Sequence, residues 1–518
     1  MKKKQLRWTL WTIASPFILF IILCILIYLP PIQNFLVDKA AVYASEATGM
    51  NISVGRISLS FPLNLVVTDV DAASPHKDTL LSVRRLQVNV QLLPLLKKQV
   101  EVDGISLQGA TVNSNDLIHG MRLNGTLGEL FISSHGVALD PETAIVNKVL
   151  LKDTDLSLCL NDTAAADTAA SDTTYWKIIL QDIDLQNVSF ALDMPLDSLS
   201  LAASLDNATL RDGLIDLHKS AYSLQTFRIK NGRVRYDSGR PSATASADSL
   251  SAGLDPSHIA LTDIGVKLDS LYYEGRNMKA IISQFVLKER SGVEIVSTEG
   301  RLVSNDKVLR VPSLKLETRD SYLELNAAMD WDALDFKKEG LVSARLMADI
   351  GKPDVVRFMG SMDEKFIRKY PSEPLRIRTG IDGDLNKLKL TTLTAELPGA
   401  LELFAKGELT SLTDSLLRGG DITLQAETKD LKFISTLAEG IEIPYGTRLE
   451  GKFTMAGPKM GTDLLLMQPE AHAVAAADTI PITVYNDSIS VADDFKMERA
   501  ARLFAKYDLS RDRYEADL

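Results

Sequence analysis

Cysteine is almost absent from this sequence, with Cys24 and Cys159 the two examples in 518 residues. Two thiols build neither a disulfide framework nor a cysteine-based zinc site. Aromatic residues are scarce at 6%, so no repeated Trp or Tyr marks the cores of serial sandwich domains. Basic residues do not dominate. The 57 Lys and Arg are outnumbered by 68 Asp and Glu, for a formal charge of −11. That is the wrong sign for a surface built to wrap nucleic acid. Only one apolar run is long enough to cross a bilayer, which excludes a polytopic membrane protein. What the chain does have is 45% hydrophobic residues, too much apolar surface for a disordered chain. Length alone suggests about three domains of roughly 150 residues.

Reactive constellations are missing too. His76, His119, His135, His218, His258 and His472 stand apart from one another, and no HExxH occurs. Neither a GxSxG elbow nor a phosphate-binding loop is present. Carboxylates such as Asp182, Asp184 and Asp193 fall on polar strand faces and in turns. Cys159, inside the alternating Leu156–Leu160 segment, reads as a buried small residue. The sequons at Asn124, Asn187 and Asn207 read as turn chemistry. No catalytic, metal or cofactor site is expected. An anchored hydrolase or adhesin would need polar groups converging in a closed pocket.

The apolar run opens the chain. A basic tail, residues 1–9, carries Lys2, Lys3, Lys4 and Arg7. Residues 10–29 hold no charge, and at 1.5 Å per helical residue they span about 30 Å, the thickness of the hydrocarbon core. The expected anchor comprises Trp11, Ile13, Phe17, Ile18, Leu19, Phe20, Ile21, Ile22, Leu23, Ile25, Leu26, Ile27, Tyr28 and Leu29. The basic flank puts the N-terminus in the cytoplasm and the bulk of the chain across the membrane. A cleaved signal peptide is the competing reading. Against it, the run is long and Leu29-Pro30-Pro31-Ile32 lacks a small-x-small cleavage site. Residues 30–49 read as an amphipathic helix, with Ile32, Phe35, Leu36, Ala40, Tyr43 and Ala47 on one side and Gly49 as its stop.

From residue 50 the apolar period changes from 3.6 to 2. Leu86, Val88, Val90 and Leu92 alternate with Gln87, Asn89 and Gln91. Asn231-Gly232 is a strong two-residue hairpin signal. A turn there opposes Ile229 with Val234 and Phe227 with Tyr236. By the same arithmetic a turn at Gly109-Ala110 opposes Leu107 with Val112. One at Asn187-Val188 opposes Leu185 with Phe190 and Ile183 with Leu192, and Leu205–Leu210 repeats the device. Each hairpin has one apolar face that it cannot bury alone. The expected fold is mostly β: an elongated, curled, mainly antiparallel sheet of repeated hairpins, groove-like, with a few short helices. Separate sandwiches are the alternative. Residues 161–174, rich in Ala, Asp and Thr, read as a long loop. Helices are expected at 354–369 and 430–439.

The opening 120 residues resemble the AsmA-like superfamily, and TamB-type translocation and assembly module proteins in particular. The resemblance rests on the basic-flanked anchor, the helix ending Ala47-Thr48-Gly49 and the Ile52–Pro62 segment. It continues through Thr79–Leu86, Leu93–Lys97 and Val102–Val112. On that basis 50–160 is the AsmA-like N-terminal β region and 175–518 continues the groove, cut short before the C-terminal β-domain of such proteins. The resemblance implies a bridge anchored in the bacterial inner membrane and projecting into the periplasm. Its groove would hold the acyl chains of phospholipid moving between inner and outer membranes. It also implies, as the alternative, a scaffold for outer-membrane proteins working with a barrel partner. Deleting residues 1–29 is expected to move the chain from the membrane pellet to the soluble fraction on cell fractionation; retention in the pellet would count against the anchor.

Overall fold

The computed structural model describes residues 50–60, 64–74, 79–91, 102–114, 120–138, 142–161, 175–239, 253–335, 340–359, 364–384, 386–412, 416–436, 445–469, 483–485, 488–490, 497–508 and 513–517, with a few isolated positions besides. The anchor from Trp11 to Leu29, the groove candidate Leu92 and residues 162–174 lie outside them. Within the expected 30–49 helix, the described positions 39, 41, 42 and 45 are helical. Among the described residues no helix is long and apolar enough to cross a membrane.

The protein is mostly β, 74% strand, with curled sheet and few helices. It divides into two compact units. The first, Met1–Ala245 with Pro256–Gly275, holds β1 (Asn51–Ser60), β2 (Asn64–Ala73), β3 (Thr79–Val90), β4 (Val102–Asn113), β5 (Met121–Ala138), β6 (Thr143–Leu160), β7 (Lys177–Met194), β8 (Leu199–Asp216), β9 (Ala221–Leu224), β10 (Thr226–Ser238) and β11 (His258–Glu274). Strands neighbouring in sequence pair antiparallel from β1 to β6. β6 and β7 then pair in parallel, which requires a crossover of a dozen or more residues. The expected 161–174 loop falls in that connection. β8 pairs with β7, with β9 at its end and with β10 along the rest, and β9 and β10 both pair with β11.

The second unit, Ser246–Asp255 with Arg276–Leu518, holds β12 (Asn277–Glu289), β13 (Glu294–Ser304), β14 (Val308–Thr318), β15 (Tyr322–Asp330), β16 (Val342–Ile350), α1 (Lys352–Met359), α2 (Glu364–Lys369), β17 (Leu375–Gly383), β18 (Lys387–Leu397), β19 (Leu401–Thr410), β20 (Gly419–Thr428), β21 (Arg448–Ala456), β22 (Lys459–Pro469), the hairpin β23 (Thr483–Tyr485) with β24 (Ser488–Ser490), β25 (Met497–Asp508) and β26 (Arg513–Asp517). β12 to β22 form an antiparallel ladder in chain order, extended by β25 and β26. The 354–369 expectation resolves into α1 and α2. At 430–439 the described residues form only a 3₁₀ turn, Ile434–Thr436.

The hairpin device needs correction. β4 runs through Gly109, β7 through Asn187, β8 through Asn207 and β10 through Asn231 without turning. Ile229 and Val234 therefore lie on one strand and are not cross-strand partners. A type I′ turn needs φ > 0 at both central residues. Here Asn231 has φ 54°, and Gly232 is not among the left-handed residues. One such residue inside a strand makes a bulge instead, which bends the chain and raises its twist.

These bulges align. The ladder skips Gly55, Asp69, Arg84, Gly109, Gly128, Asp153, Asn187, Asp206 and Asn231, each beside the next on the neighbouring strand. Asp69, Gly109, Asp153, Asn187 and Asn231 carry the positive φ, and Asp, Asn and Gly are the residues that tolerate it. Close approach shapes the partners. A Cβ on Gly128 would lie 2.8 Å from the Cβ of Asp153. Asn187 donates to Asp153 at 2.9 Å, and Asn231 donates to Asp206.

The crease reverses side-chain parity. On β10 the exposed residues are Arg228 and Lys230 before it and Arg233 and Arg235 after it, while Gly232 is buried. Phe227, Ile229, Val234 and Tyr236 therefore do share one face, by the bulge rather than by a turn. Asn231→Gly is expected to leave stability nearly unchanged. Asn231→Val should cost about 1–2 kcal/mol through left-handed strain, as measured by chemical denaturation. Equal behaviour of the two variants would contradict the crease.

Candidate functional site

The apolar face of the first unit is the candidate site. One row across it runs Val54, Val70, Val83, Ala110, Leu127, Thr154, Val188, Leu205, Gly232 and Ile264, each registered on the next. The row beyond the crease runs Ile57, Val67, Leu86, Leu107, Leu130, Leu151, Leu185, Ala208, Ile229 and Val266. On each of β1 to β8 and on β10 the two rows stand three residues apart. In a regular strand that spacing would put them on opposite faces. The crease puts them on the same face.

The groove candidates fall into these rows and their flanks. Leu86, Leu107, Leu185 and Ile229 share the second row. Val88, Ile183 and Phe227 belong to the next row out, with Leu59, Ile132 and Leu210. Val112, Phe190 and Val234 lie in the row on the other side, with Leu81, Leu156 and Ala203. Tyr236 registers on Leu201 and Val90 on Val102, at opposite margins. Sequence reasoning missed the contributions of β1, β2, β5, β6, β8 and β11. The signal was available: apolar residues alternating by two, with a step of three at the crease in each strand and a second such step in β6, β7 and β8.

Among the described residues no second layer covers this face. Most of its side chains are half-buried, and Phe190 is 37% exposed. Among the described apolar residues of the unit, Ala72, Leu80, Val83, Ala208, Ala221 and Ile264 reach full burial. A sandwich would bury its inner rows. The opposite face is polar. Arg211 bridges Asp182 and Asp184 there, and Ser189 donates to Asp155 at 2.5 Å. Cys159 is half-buried rather than buried, its Sγ 3.2 Å from Asn161 Oδ1. Among the described residues no three His, Cys, Asp or Glu gather as a metal site.

In the second unit the apolar face acquires a true core at one rim. Ile350, Leu375, Leu397, Leu401 and Thr428 form its end row. Phe366 of α2, Tyr370, Leu431 and Phe433 close over Leu397 and Ala400. Three of these are aromatic, with ring centroids 5.2–5.7 Å apart and edge-on contacts at Phe433.

A polar latch holds α1 to the strands below. Asp354, its side chain 1% exposed, accepts from Ser321 Oγ at 2.6 Å, from Thr318 and from Arg357 at 2.9 Å. Arg357 also reaches Asp320 at 2.8 Å. Burial pushes the Asp354 carboxyl up, but the hydroxyls of Ser321 and Thr318 and the Arg357 guanidinium together hold it below its ordinary range. Lys352 Nζ donates to the Tyr370 carbonyl at 2.7 Å, tying the two helices' ends together.

A scan against protein-family models finds no match to this chain, and neither does a search of the curated proteins.

Because the folded carboxyl of Asp354 is depressed, its contribution is present above the unfolded value near 3.9 and is lost as pH falls through the folded one. Asp354→Asn is expected to cost about 1.5–3 kcal/mol at neutral pH, and to flatten the acid limb of a stability-against-pH curve. Phe433→Ala should cost about 3–5 kcal/mol. Unchanged denaturation midpoints for both would mean that the cap is not packed as described.

Proposed function

We propose that this chain is a membrane-anchored conduit for phospholipid, of the TamB type within the AsmA-like superfamily. Its N-terminus would lie in the cytoplasm, its anchor in the inner membrane and its β units in the periplasm. One observation carries the reading: an apolar row runs unbroken from Ile57 to Val266 across ten strands of the first unit, on a face with no covering layer among the described residues.

Such a face suits acyl chains for physical reasons. Each buried CH₂ contributes about 0.8 kcal/mol, enough to hold a chain out of water. The attraction has no direction and no fixed register, so a chain slides along the rows at little cost. Lining by Val, Leu and Ile offers few anchors at which a chain would stall. Apolar segments of an unfolded outer-membrane protein would find the same face attractive, and that is the alternative occupant.

The test is site-specific photo-crosslinking in cells. A photoreactive residue at Val88, Ile229 or Val234 is expected to capture phospholipid. The same residue at Gln87 or Arg228, on the polar face, should not. Capture of nascent outer-membrane proteins at the first three positions, without lipid, would replace the conduit with a scaffold acting beside a barrel partner. Capture only from the polar positions would overturn both.

A further inference from the structure

We infer that the polar face of the first unit carries an oxyanion site that takes a phosphate group, with Arg228 and Lys230 of β10 and Thr209 of β8 as its donors. The site lies on the face opposite the apolar rows and is independent of the conduit reading.

The residues come together by register. Thr226, Arg228 and Lys230 alternate along β10 and register on Arg211, Thr209 and Asn207 of β8. All six therefore share one face, and together they line a hollow of about 320 Å³. Asn207, Thr209, Arg211 and Thr226 are half-buried, while Arg228 and Lys230 are exposed. Every one of these side chains can donate a hydrogen bond, and none is a carboxylate. The local sequence is as one-sided. Residues 226–236 hold Arg228, Lys230, Arg233 and Arg235 and no acid, in a chain of formal charge −11.

Other cations on this polypeptide are matched by a carboxylate. Lys152 registers on Glu129, Arg211 on Asp182 and Lys389 on Glu408. Arg233 lies 3.7 Å from Asp206, and Arg235 2.7 Å from Asp237. Arg228 and Lys230 break the pattern. On one side they register on the neutral Thr209 and Asn207. On the other, Arg228 registers on Lys267, and like charges directly opposite each other are destabilising. The nearby carboxylates are engaged: Asp182 and Asp184 by Arg211, and Asp269 by Lys267 at 3.9 Å. Among the described residues the side chains of Arg228 and Lys230 make no hydrogen bond or ion pair.

Unmatched donors gathered in one hollow call for a ligand that supplies the missing charge. The Arg guanidinium is a planar fork that holds two oxygens of a phosphate, and the Lys ammonium adds a point charge. Two residues apart on one strand, they start about 7 Å apart at the backbone, within reach of one tetrahedral group. A carboxylate would fill the fork and leave the other donors idle. The further oxygens of a phosphate engage Lys230 and the hydroxyls of Thr209 and Thr226 as well. A soluble phosphate ester and a lipid head group both present this chemistry.

The test is isothermal titration calorimetry on the full chain in neutral detergent and phosphate-free buffer. Two probes without acyl chains are compared: glycerol 3-phosphate, a soluble monoester, and glycerophosphoglycerol, the diester head group of phosphatidylglycerol. Saturable binding of at least one is expected. Tighter binding of the monoester identifies a soluble phosphate ester as the source, and tighter binding of the diester a lipid head group. Arg228→Gln should weaken binding about tenfold and Lys230→Gln about fivefold. Arg301→Gln, at an exposed arginine of the second unit, should leave it unchanged. Neither site variant should lower the melting temperature without ligand, since neither cation has a partner to lose. Saturation by neither probe would overturn the site, as would equal weakening by Arg301→Gln or a destabilised Arg228→Gln.

Discussion

A strand has two faces, and an apolar surface kept on one of them must obey a period of two from end to end. The first unit breaks that period at one level shared by all its longer strands, and β6, β7 and β8 break it a second time at Asn147, Gln181 and Asp212. Asp69, Gly109, Asp153, Asn187 and Asn231 each take a left-handed conformation, and every neighbouring strand gives up a ladder pair at the same level. The dependence is collective. A bulge in one strand alone would throw its far half out of register, turning apolar residues towards water. Aligned across the sheet, the bulges cancel in register and leave a crease where the polar face carries two consecutive residues per strand, such as Gly55 and Arg56. The crease bends the sheet along the axis on which strands are added. That keeps the apolar rows on one side of it.

Core formation differs between the units for a related reason. A single sheet cannot bury its own face, so its leucines remain half-exposed unless another element lies on them. In the second unit α1, α2 and the 3₁₀ turn provide that element over one rim only. The cap lies in the longer connections of that rim, those between β16 and β17 and between β20 and β21. The aromatic cluster is concentrated there, in a chain otherwise poor in aromatics. Elsewhere the described walls are mainly Val, Leu and Ile, with Phe190, Phe227 and Tyr236 on the face of the first unit.

Much of the fold was legible because alternation is a strong signal. Leu86, Val88 and Val90 against Gln87 and Asn89 gave the face correctly. So did Phe227, Ile229, Val234 and Tyr236, though for a mistaken reason. Asn231-Gly232 fits a hairpin turn by composition, and Asn also suits the single left-handed residue of a bulge. The dipeptide alone does not separate the two. What separates them is comparison between strands: the step of three recurs at Val54–Ile57, Leu127–Leu130, Leu151–Thr154 and Leu205–Ala208. A turn reverses the chain at one place, whereas a shared crease needs the step in every partner. The parallel β6–β7 pair was hidden because the sequence of the 161–174 segment names no partner for the strands it joins. The polar latch at Asp354 was hidden for another reason. Thr318, Ser321, Asp354 and Arg357 come from connections distant in sequence, and only the ladder brings them together.

The apolar face carries a free-energy cost that bears on its use. Rows of half-exposed Val, Leu and Ile face water on a polypeptide whose other face is charged and well solvated. At about 25 cal/mol per Å², leaving such an area wet opposes the curled single sheet unless an occupant or a second layer covers it. The cap covers Leu397 and Leu401, while Leu403 and Leu409 farther along β19 are half-buried. Stability alone would favour extending the cap along the whole face. Among the described residues the cover stops at that rim, and the apolar face beyond it is what the conduit proposal rests on.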